Sequence, residues 1–333
     1  MLRSLGTVIL RTGEPVLAAV VGTPDRDWAE RIERMLAHKG EPWNWQNSEL
    51  LRRSCGVHVN FFVLHRNGAP FANIMLVENA GVALLGHVWT EPADRGAGGS
   101  SLLMERVIAD FAERKGRAIF LGTDFNGTAW QYYRRRGFEP VEPASGYMEF
   151  HRQPRAEFDR DWFGATDAIV EPLDWPHWPA AAPLCLGDFG PVVRLAAVQL
   201  IGRRSSEEPL LRLMREANRR RALGQPVKAL VLRDAKGPTV LGVACLQPHP
   251  FWPHTKILDA FCHPRWWRRA HDLIAALESD GAARTIAYAD ADHGEKRAVL
   301  KRAGLREKTV LPRWAPRTAA GSERIDVTVF ARD

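Results

Sequence analysis

Two β-rich runs, Val57–His65 and Phe71–Glu78, are joined by Arg66-Asn67-Gly68-Ala69, and this junction constrains the fold more than any other feature of the chain. Asn-Gly readily takes positive φ at two successive residues, the geometry of a tight hairpin turn. The two runs are therefore expected to be antiparallel neighbours, with Val82–Thr90 following as a third, mostly apolar strand. A sheet built from hairpins is not a doubly wound parallel sheet, whose strands need helical crossovers. Before this meander, Gly6–Leu10 and Pro15–Val21 are short β-prone runs, and Asp25–His38 has helical spacing of Trp28, Ile32 and Leu36. After it, Gly98–Lys115 places Leu103, Val107 and Phe111 on one helical face with charged residues on the other. Ala118–Thr123 then reads as a strand, Thr128–Arg136 as a short helix stopped by Gly137, and Tyr147–His151 as a closing strand.

The second half repeats this order. Ala168–Pro172 reads as a strand, Glu207–Arg221 as a helix, and Lys228–Arg233 with Val240–Leu246 as a hairpin. Lys256–Cys262, Trp267–Leu277, Thr285–Asp290, Glu295–Arg302 and Ile325–Ala331 follow as strand, helix, strand, helix and strand. At 333 residues the chain is long enough for two domains. The displacement of about 170 residues between like elements reads as a long-period duplication. The expected organisation is a first domain over 1–152, a polar linker over 153–166 containing Pro154, and a second domain over 167–333. Each domain is expected to be a mixed α/β (α+β) unit with a central, mostly antiparallel sheet flanked by helices.

Composition excludes several classes of function. No apolar run reaches the ~18 residues that would span a bilayer, and MLRSLGTVILRTGEP lacks a continuous apolar segment with a cleavage site. The expectation is a cytoplasmic protein with no membrane partner. Cys55, Cys185, Cys245 and Cys262 are scattered, without metal-site or disulfide spacing, and His249, His254, Cys262 and His263 match no ligand pattern, so no metal is expected. The net charge of +7 comes mainly from the second half, around Arg203-Arg204, Arg219 to Arg221 and Arg265 to Arg269. No nucleic-acid motif accompanies these runs, which read as solvated faces, although the charge suits an anionic cofactor. Trp175, Trp178, Trp252, Trp266 and Trp267 are expected to be packing residues and not a ligand cage.

The chemistry concentrates at Thr90-Glu91-Pro92-Ala93-Asp94-Arg95-Gly96-Ala97-Gly98-Gly99-Ser100-Ser101, where a strand ends, a glycine-rich turn follows and a helix begins. Glycines let the backbone approach a ligand closely, and the amides of a helix start suit a pyrophosphate. A dinucleotide-binding turn is the rival reading. Ser101 stands where its third glycine belongs, five residues separate the strand from the first glycine, and the hairpin-linked strands are antiparallel. The decisive segment lies further on, at Asn126-Gly127-Thr128-Ala129-Trp130-Gln131-Tyr132-Tyr133-Arg134-Arg135-Arg136-Gly137-Phe138.

Together these two segments resemble the GNAT superfamily of acyl-CoA-dependent N-acyltransferases. Arg95 and Gly98 match its Arg/Gln-x-x-Gly-x-Gly/Ala motif, with Ser100 in place of the last small residue. Asn126, Ala129, Tyr133, Gly137 and Phe138 match its Asn-x-x-Ala-x-x-x-Tyr-x-x-x-Gly-Phe segment. The resemblance covers roughly residues 57–150; the second half shares only the element order and resembles a degenerate copy.

The resemblance implies acetyl-CoA as co-substrate. Backbone groups of Val88, Trp89, Thr90 and Glu91 would meet the pantetheine, the amides of Arg95, Gly96, Ala97, Gly98, Gly99 and Ser100 the pyrophosphate, and Asn126 the pantetheine again. Tyr133 would donate to the departing thiolate, or only pack beside it. An alkyl amine of pKa about 10.4 is neutral about once in 10³ at pH 7, a scarcity of roughly 4–5 kcal/mol that a base can offset. His87, Glu91 and Glu78 lie nearest the strand end, and the choice among them stays open. The expected reaction is direct acetyl transfer to a primary amine of a small molecule or protein. An acyl-CoA-binding regulatory or scaffold protein without turnover is the other reading.

Overall fold

The computed structural model describes residues 2–277 and 284–332. The density of internal packing divides the chain into two compact units, Met1–Leu121 and Gly122–Asp333.

In the first unit β1 (Leu2–Ile9) and β2 (Pro15–Gly22) form a hairpin. Helices α1 (Arg26–Leu36) and α2 (Trp43–Arg52) follow. The Asp25 carboxylate accepts from the Trp28 amide to cap α1, which buries Trp28, Ile32 and Leu36 as their spacing predicts. The sequence reading has no counterpart for α2, whose buried side includes Gln46 and Asn47 and so shows no apolar stripe.

Strands β3 (His58–Arg66), β4 (Ala69–Asn79) and β5 (Val82–Thr90) form the expected meander. Asn67 and Gly68 both take positive φ, +48° and +85°, so the hairpin turns where the sequence says it must. Helix α3 (Gly99–Glu113) carries the chain back, and β6 (Ala118–Gly122) then pairs parallel with β5. Within this unit the strands run in the order β1-β2-β3-β4-β5-β6, antiparallel except for the last pair. β3 and β4 are buried at nearly every position, because α3 packs on them and the sheet centre is covered on both faces. β1, at the edge, is mostly exposed.

The second unit begins with α4 (Thr128–Arg134) and the β7 (Glu139–Pro140)–β8 (Tyr147–His151) hairpin. Residues 153–166, read from sequence as a polar linker, carry α5 (Arg155–Trp162), which buries Phe158 and Trp162. Then come β9 (Ala168–Pro172), the short helices α6 (His177–Ala180) and α7 (Ala182–Leu186), and the small pair β10 (Val193–Leu195) and β11 (Leu200–Ile201). Next are α8 (Glu207–Ala222), β12 (Ala229–Asp234), β13 (Val240–Pro248) and β14 (Thr255–Cys262). α9 (Ala270–Ala276), β15 (Arg284–Asp290), α10 (Gly294–Arg302), β16 (Arg306–Pro316) and β17 (Arg324–Arg332) complete the unit. Seven strands form one sheet in the order β16-β17-β15-β14-β13-β12-β9, and only β14 and β15 are parallel.

The architecture is therefore mixed α/β, with two mostly antiparallel sheets and packed helices, as the sequence leads one to expect. The helix expected over Trp267–Leu277 is preceded and partly replaced by a 3₁₀ turn, Pro264–Arg269, capped by the His263 ring, which accepts from the Arg265 amide, and α9 itself covers Ala270–Ala276.

Candidate functional site

Strands β5 and β6 pair only over Val82–Leu84 and Ala118–Phe120. Beyond Leu84, β5 continues to Thr90 with no β6 partner among the described residues. The pairing of β5 with β4 also changes there: Asn73 opposes Trp89 but Met75 opposes Gly86. Two residues, His87 and Val88, thus face one on β4, a β-bulge that bends the strand and re-aims its end. His87 takes φ +49°, a strained value for a non-glycine residue.

Three side chains hold this bulge. The Asn73 amide donates to the His87 carbonyl (2.9 Å), His87 Nε2 lies 3.1 Å from Gln46 Oε1, and Gln46 Nε2 donates to Met75 Sδ (3.2 Å). Gln46 comes from α2, and neither it nor Asn73 is identifiable from sequence, because the register that needs them is not local.

His87 is buried, and burial, helped by the charges of Lys39 and His38, pushes its pKa down to about 3. The unfolded chain binds a proton at His87 between pH 6.5 and about 3 where the folded chain does not, so this residue's share of stability is lost as pH falls through that window. His87 should contribute a slope of about 1.4 kcal/mol per pH unit there. Urea unfolding of wild type and His87→Gln at pH 7, 6, 5 and 4 measures it; parallel curves would contradict the assignment.

Past Thr90, the loop turns through a 3₁₀ segment, Pro92–Asp94, into two glycines of positive φ, Gly96 (+82°) and Gly98 (+84°). Gly98 is the N-cap of α3 and has no side chain to satisfy the first-turn amides. Thr90 Oγ1 and Ser100 Oγ lie 2.8 Å apart and tie the strand end to the helix start. Arg95 donates through Nε to the Thr90 carbonyl (3.2 Å) and stacks its guanidinium over Trp89 at 4.7 Å.

A second wall comes from the β1–β2 turn. The Arg11 amide donates to the Ala97 carbonyl (2.9 Å), and the Arg11 side chain runs along Gly98, where an added Cβ would stand 3.2 Å from it. Between this turn and the loop lies a groove of about 730 Å³, lined by Leu10 to Glu14 and Ala93 to Ala97. Its two acids share one guanidinium, which offsets one of their two charges: Arg66 donates to both Glu14 oxygens (2.7 and 2.8 Å) and to Asp94 (2.7 Å). The same guanidinium holds the Glu14 carboxyl below its usual range. With Arg11 and Arg95, three guanidiniums face two carboxylates and the groove keeps a net positive charge, which suits a phosphate-bearing ligand. Arg11 carries no sequence signal, since nothing local marks its contact with Ala97.

Glu91 is half-buried beside this loop, its amide donating to the Phe71 carbonyl (2.8 Å). Glu78, read from sequence as another base candidate, stands elsewhere. It opposes Ala83 at the far end of β5, on the order of 20 Å from Thr90 at a strand's rise, and is engaged by the Arg114 guanidinium.

In the second unit, Asn126 and Tyr133 share one loop and helix. Asn126 is exposed, takes φ +58° and accepts through Oδ1 from Gln131 (2.9 Å). Tyr133 is 6% exposed, with its ring against Tyr132 and Phe138 at centroid distances of 5.3 and 5.7 Å. Burial raises its pKa, so the phenol stays protonated at neutral pH. Gly137 ends α4 at φ +84°.

The second unit contains a parallel pair of its own. β14 and β15 pair over Thr255–Ile257 and Arg284–Ile286, and past that point β10 packs against both strands. Asp290 accepts from the amides of Val192 (2.6 Å) and Val193 (2.8 Å), Asp259 from Ala197 (2.8 Å), and the Lys296 ammonium donates to the carbonyls of Val193 (2.7 Å) and Arg194 (3.0 Å). The gap between these strands is thus filled by the chain itself. Trp175, Trp178 and Trp267 are packed inside as expected, whereas Trp252 is 59% exposed, because the β13–β14 loop carries it out of the sheet.

Residues 26–138 match the acetyltransferase (GNAT) family, so the chain carries a domain of that family there. No curated protein matches the chain. Among solved structures it is similar to a GNAT-family acetyltransferase of Staphylococcus aureus Mu50 (15% identity, 41% of this chain and 99% of that one, TM-score 0.34). It is similar also to the ribosomal-protein-S18-alanine N-acetyltransferase of Escherichia coli (18% identity, 50% and 92%, TM-score 0.31). A third is the PaiA N-acetyltransferase of Thermoplasma acidophilum in complex with coenzyme A (12% identity, 40% and 98%, TM-score 0.30).

Proposed function

We propose that the chain is an N-acetyltransferase that moves an acetyl group from acetyl-CoA directly to a primary amine. The observation that carries this reading is the combination, within a domain of the acetyltransferase family, of a bulged and half-unpaired β5 with a two-glycine turn into α3. In this reading Val88, Trp89 and Thr90 offer backbone groups to the pantetheine. The turn from Arg95 to Ser100 takes the pyrophosphate with Arg11 beside it, and Asn126 adds a pantetheine contact.

Acetyl-CoA supplies an activated thioester. The amine nitrogen bonds to the thioester carbonyl carbon, the C–S bond breaks with its electron pair going to sulfur, and the amine loses a proton. We assign that proton to Glu91, directly or through water, and not to His87. A base whose conjugate acid has a pKa of about 3 takes up a proton poorly at neutral pH, so His87 serves to shape the bulge. Tyr133 donates a hydrogen bond to the sulfur as its charge develops. Among the described residues no cysteine or serine stands in a nucleophile arrangement, which supports direct transfer without an acyl-enzyme.

The second half, residues 167–333, is proposed to be a degenerate copy that binds no CoA. Its meander β12-β13-β14, followed by a parallel β15, repeats the β3-β4-β5 and β6 arrangement. The connection after β14, His263 to Arg269, has no glycine, and the gap between β14 and β15 is filled by β10.

Titration calorimetry on the intact chain should therefore give one CoA per molecule, and CoA should raise the thermal midpoint by binding the folded state. Gly98→Val should give no binding and no shift, because φ +84° is strained for a β-branched residue and a Cβ there crowds Arg11. Two sites in the wild type, or one surviving in Gly98→Val, would overturn the assignment. Release of free thiol across an amine panel tests turnover; CoA binding with no turnover on any amine would favour an acyl-CoA-binding protein instead.

A further inference from the structure

The second unit contains a cavity of about 1070 Å³ that the proposed chemistry does not use. Its walls come from the start of β8, the segment around β11, the β13–β14 loop and the β16–β17 ribbon. Two features of its lining are unusual together. Trp252 and Trp314 are 59% and 62% exposed, so two indole faces stand in water on the rim of a concave site, where burial against a ligand ring would remove apolar surface from solvent. Arg203 and Arg204 line the same space, and among the described residues neither has a carboxylate within 4 Å. Arg203 Nε donates to the Leu186 carbonyl (2.9 Å), while Arg204 donates to Tyr147 Oη (3.2 Å) and the Gln199 carbonyl (3.1 Å). The cavity's other arginines are engaged: Arg212 by Glu208, and Arg317 by Asp292 and Glu323.

Arg203 is half-buried, and burial lowers its pKa because the carboxylates of Asp188, Glu149 and Glu142 act on it only from beyond ion-pair distance and offset the desolvation in part. The one carboxylate among the described lining residues, Glu142, already accepts from the Ala319 amide (2.8 Å). His249 adds no positive charge at neutral pH, since burial lowers its pKa and its Nδ1 accepts from the amides of Phe251 and Trp252. The site therefore combines two guanidiniums that no carboxylate contacts at ion-pair distance among the described residues with two largely exposed indoles, Trp252 touching only the His249 ring at a centroid distance of 6.0 Å. A guanidinium fork matches a carboxylate in geometry as well as charge.

We propose that this cavity binds an aromatic carboxylate, its ring against Trp252 and Trp314 and its carboxylate held by Arg203 and Arg204. The proposal is independent of acetyl transfer. Calorimetry on the full chain, saturated with CoA so that the first unit's groove is occupied, tests it with three probes: 2-naphthoate, the neutral 2-naphthamide and acetate. One 2-naphthoate should bind per chain, at least tenfold tighter than the amide, with acetate showing no measurable heat. Arg203→Gln and Arg204→Gln, taken separately in case one perturbs folding, should each weaken 2-naphthoate about tenfold and leave the amide unchanged. Trp252→Ala and Trp314→Ala should weaken naphthoate and amide alike. Equal affinity for naphthoate and amide, no binding of naphthoate, or binding unaffected by both arginine variants would overturn the proposal.

Discussion

Replacing Tyr133 by phenylalanine should lower kcat by roughly two to four orders of magnitude, the range that a positioned proton donor contributes, while CoA affinity stays within about threefold. The substitution removes one oxygen and keeps the ring, whose contacts with Tyr132 and Phe138 are what hold it in place. Burial keeps the phenol protonated, the form that can donate, but also makes it a weaker acid than the thiol it would protonate, whose ordinary pKa is about 8.5. Complete proton transfer ahead of C–S cleavage is therefore uphill. The donor acts as a hydrogen bond that strengthens as charge reaches the sulfur, an interaction absent from the ground state and so expressed in kcat and not in binding. Steady-state kinetics with the best amine of the panel, beside a CoA titration followed by thermal shift, separate the two. An unchanged kcat would make Tyr133 a packing residue; a kcat and a CoA affinity that fall together would make it part of the cofactor's binding surface.

The elements that could be read in advance are those with local signals. Asn67-Gly68 forms the turn because two successive residues must take positive φ, and β5 occupies the residues expected of it, Val82–Thr90. The glycine turn into α3 is visible for the same reason, since Gly96 and Gly98 hold conformations other residues adopt at a cost. What was hidden depends on distant partners. The bulge at His87 arises from β5's register against β4 and is held by Gln46 from a helix with no apolar periodicity. Arg11 reaches the loop only because β1 and β2 fold back on it. β16 shows no alternation because nearly all its residues are exposed.

Charge and aromatic content misled in a similar way. Arg203-Arg204 reads as a solvated pair, yet Arg203 is half-buried, and Trp252 reads as packing but stands at the rim of a cavity. Composition says which residues are present, and only the tertiary path decides whether an indole has a partner. Asp259 is a lone acid inside the apolar run Ile257–Cys262, where a carboxylate without a partner is costly, but reading the segment as a strand does not single it out. Its partner could not be named, because Lys296 sits on a helix whose charged residues otherwise face water.

That pair sets the other large effect. Lys296→Met should destabilise the second unit by about 3–5 kcal/mol, the usual cost of removing one member of a buried charge pair. Lys296 and Asp259 are both fully buried, with Nζ 3.5 Å from Asp259 Oδ1. Methionine fills nearly the same space, so the loss comes from charge and hydrogen bonding and not from a cavity. Asp259 is left without its cation, and the carbonyls of Val193 and Arg194 lose their donor. Asp259→Asn in the same background removes the stranded charge while keeping an acceptor for the Ala197 amide. Lys296→Met/Asp259→Asn should therefore recover a good part of the stability lost by Lys296→Met alone, and a double-mutant cycle in urea gives the coupling. Strict additivity, or a cost below about 1 kcal/mol for the single variant, would show that the pair behaves as a solvated one. The variant also bears on the filled gap between β14 and β15. Lys296 ties β10 down from one side while Asp290 and Asp259 hold its flanking amides from the other, so loosening this anchor should raise amide exchange over residues 192–198 before it affects β12 or β13. Exchange that rises uniformly across the second unit would mean that β10 is an integral part of the sheet's core and not an insertion filling a cleft.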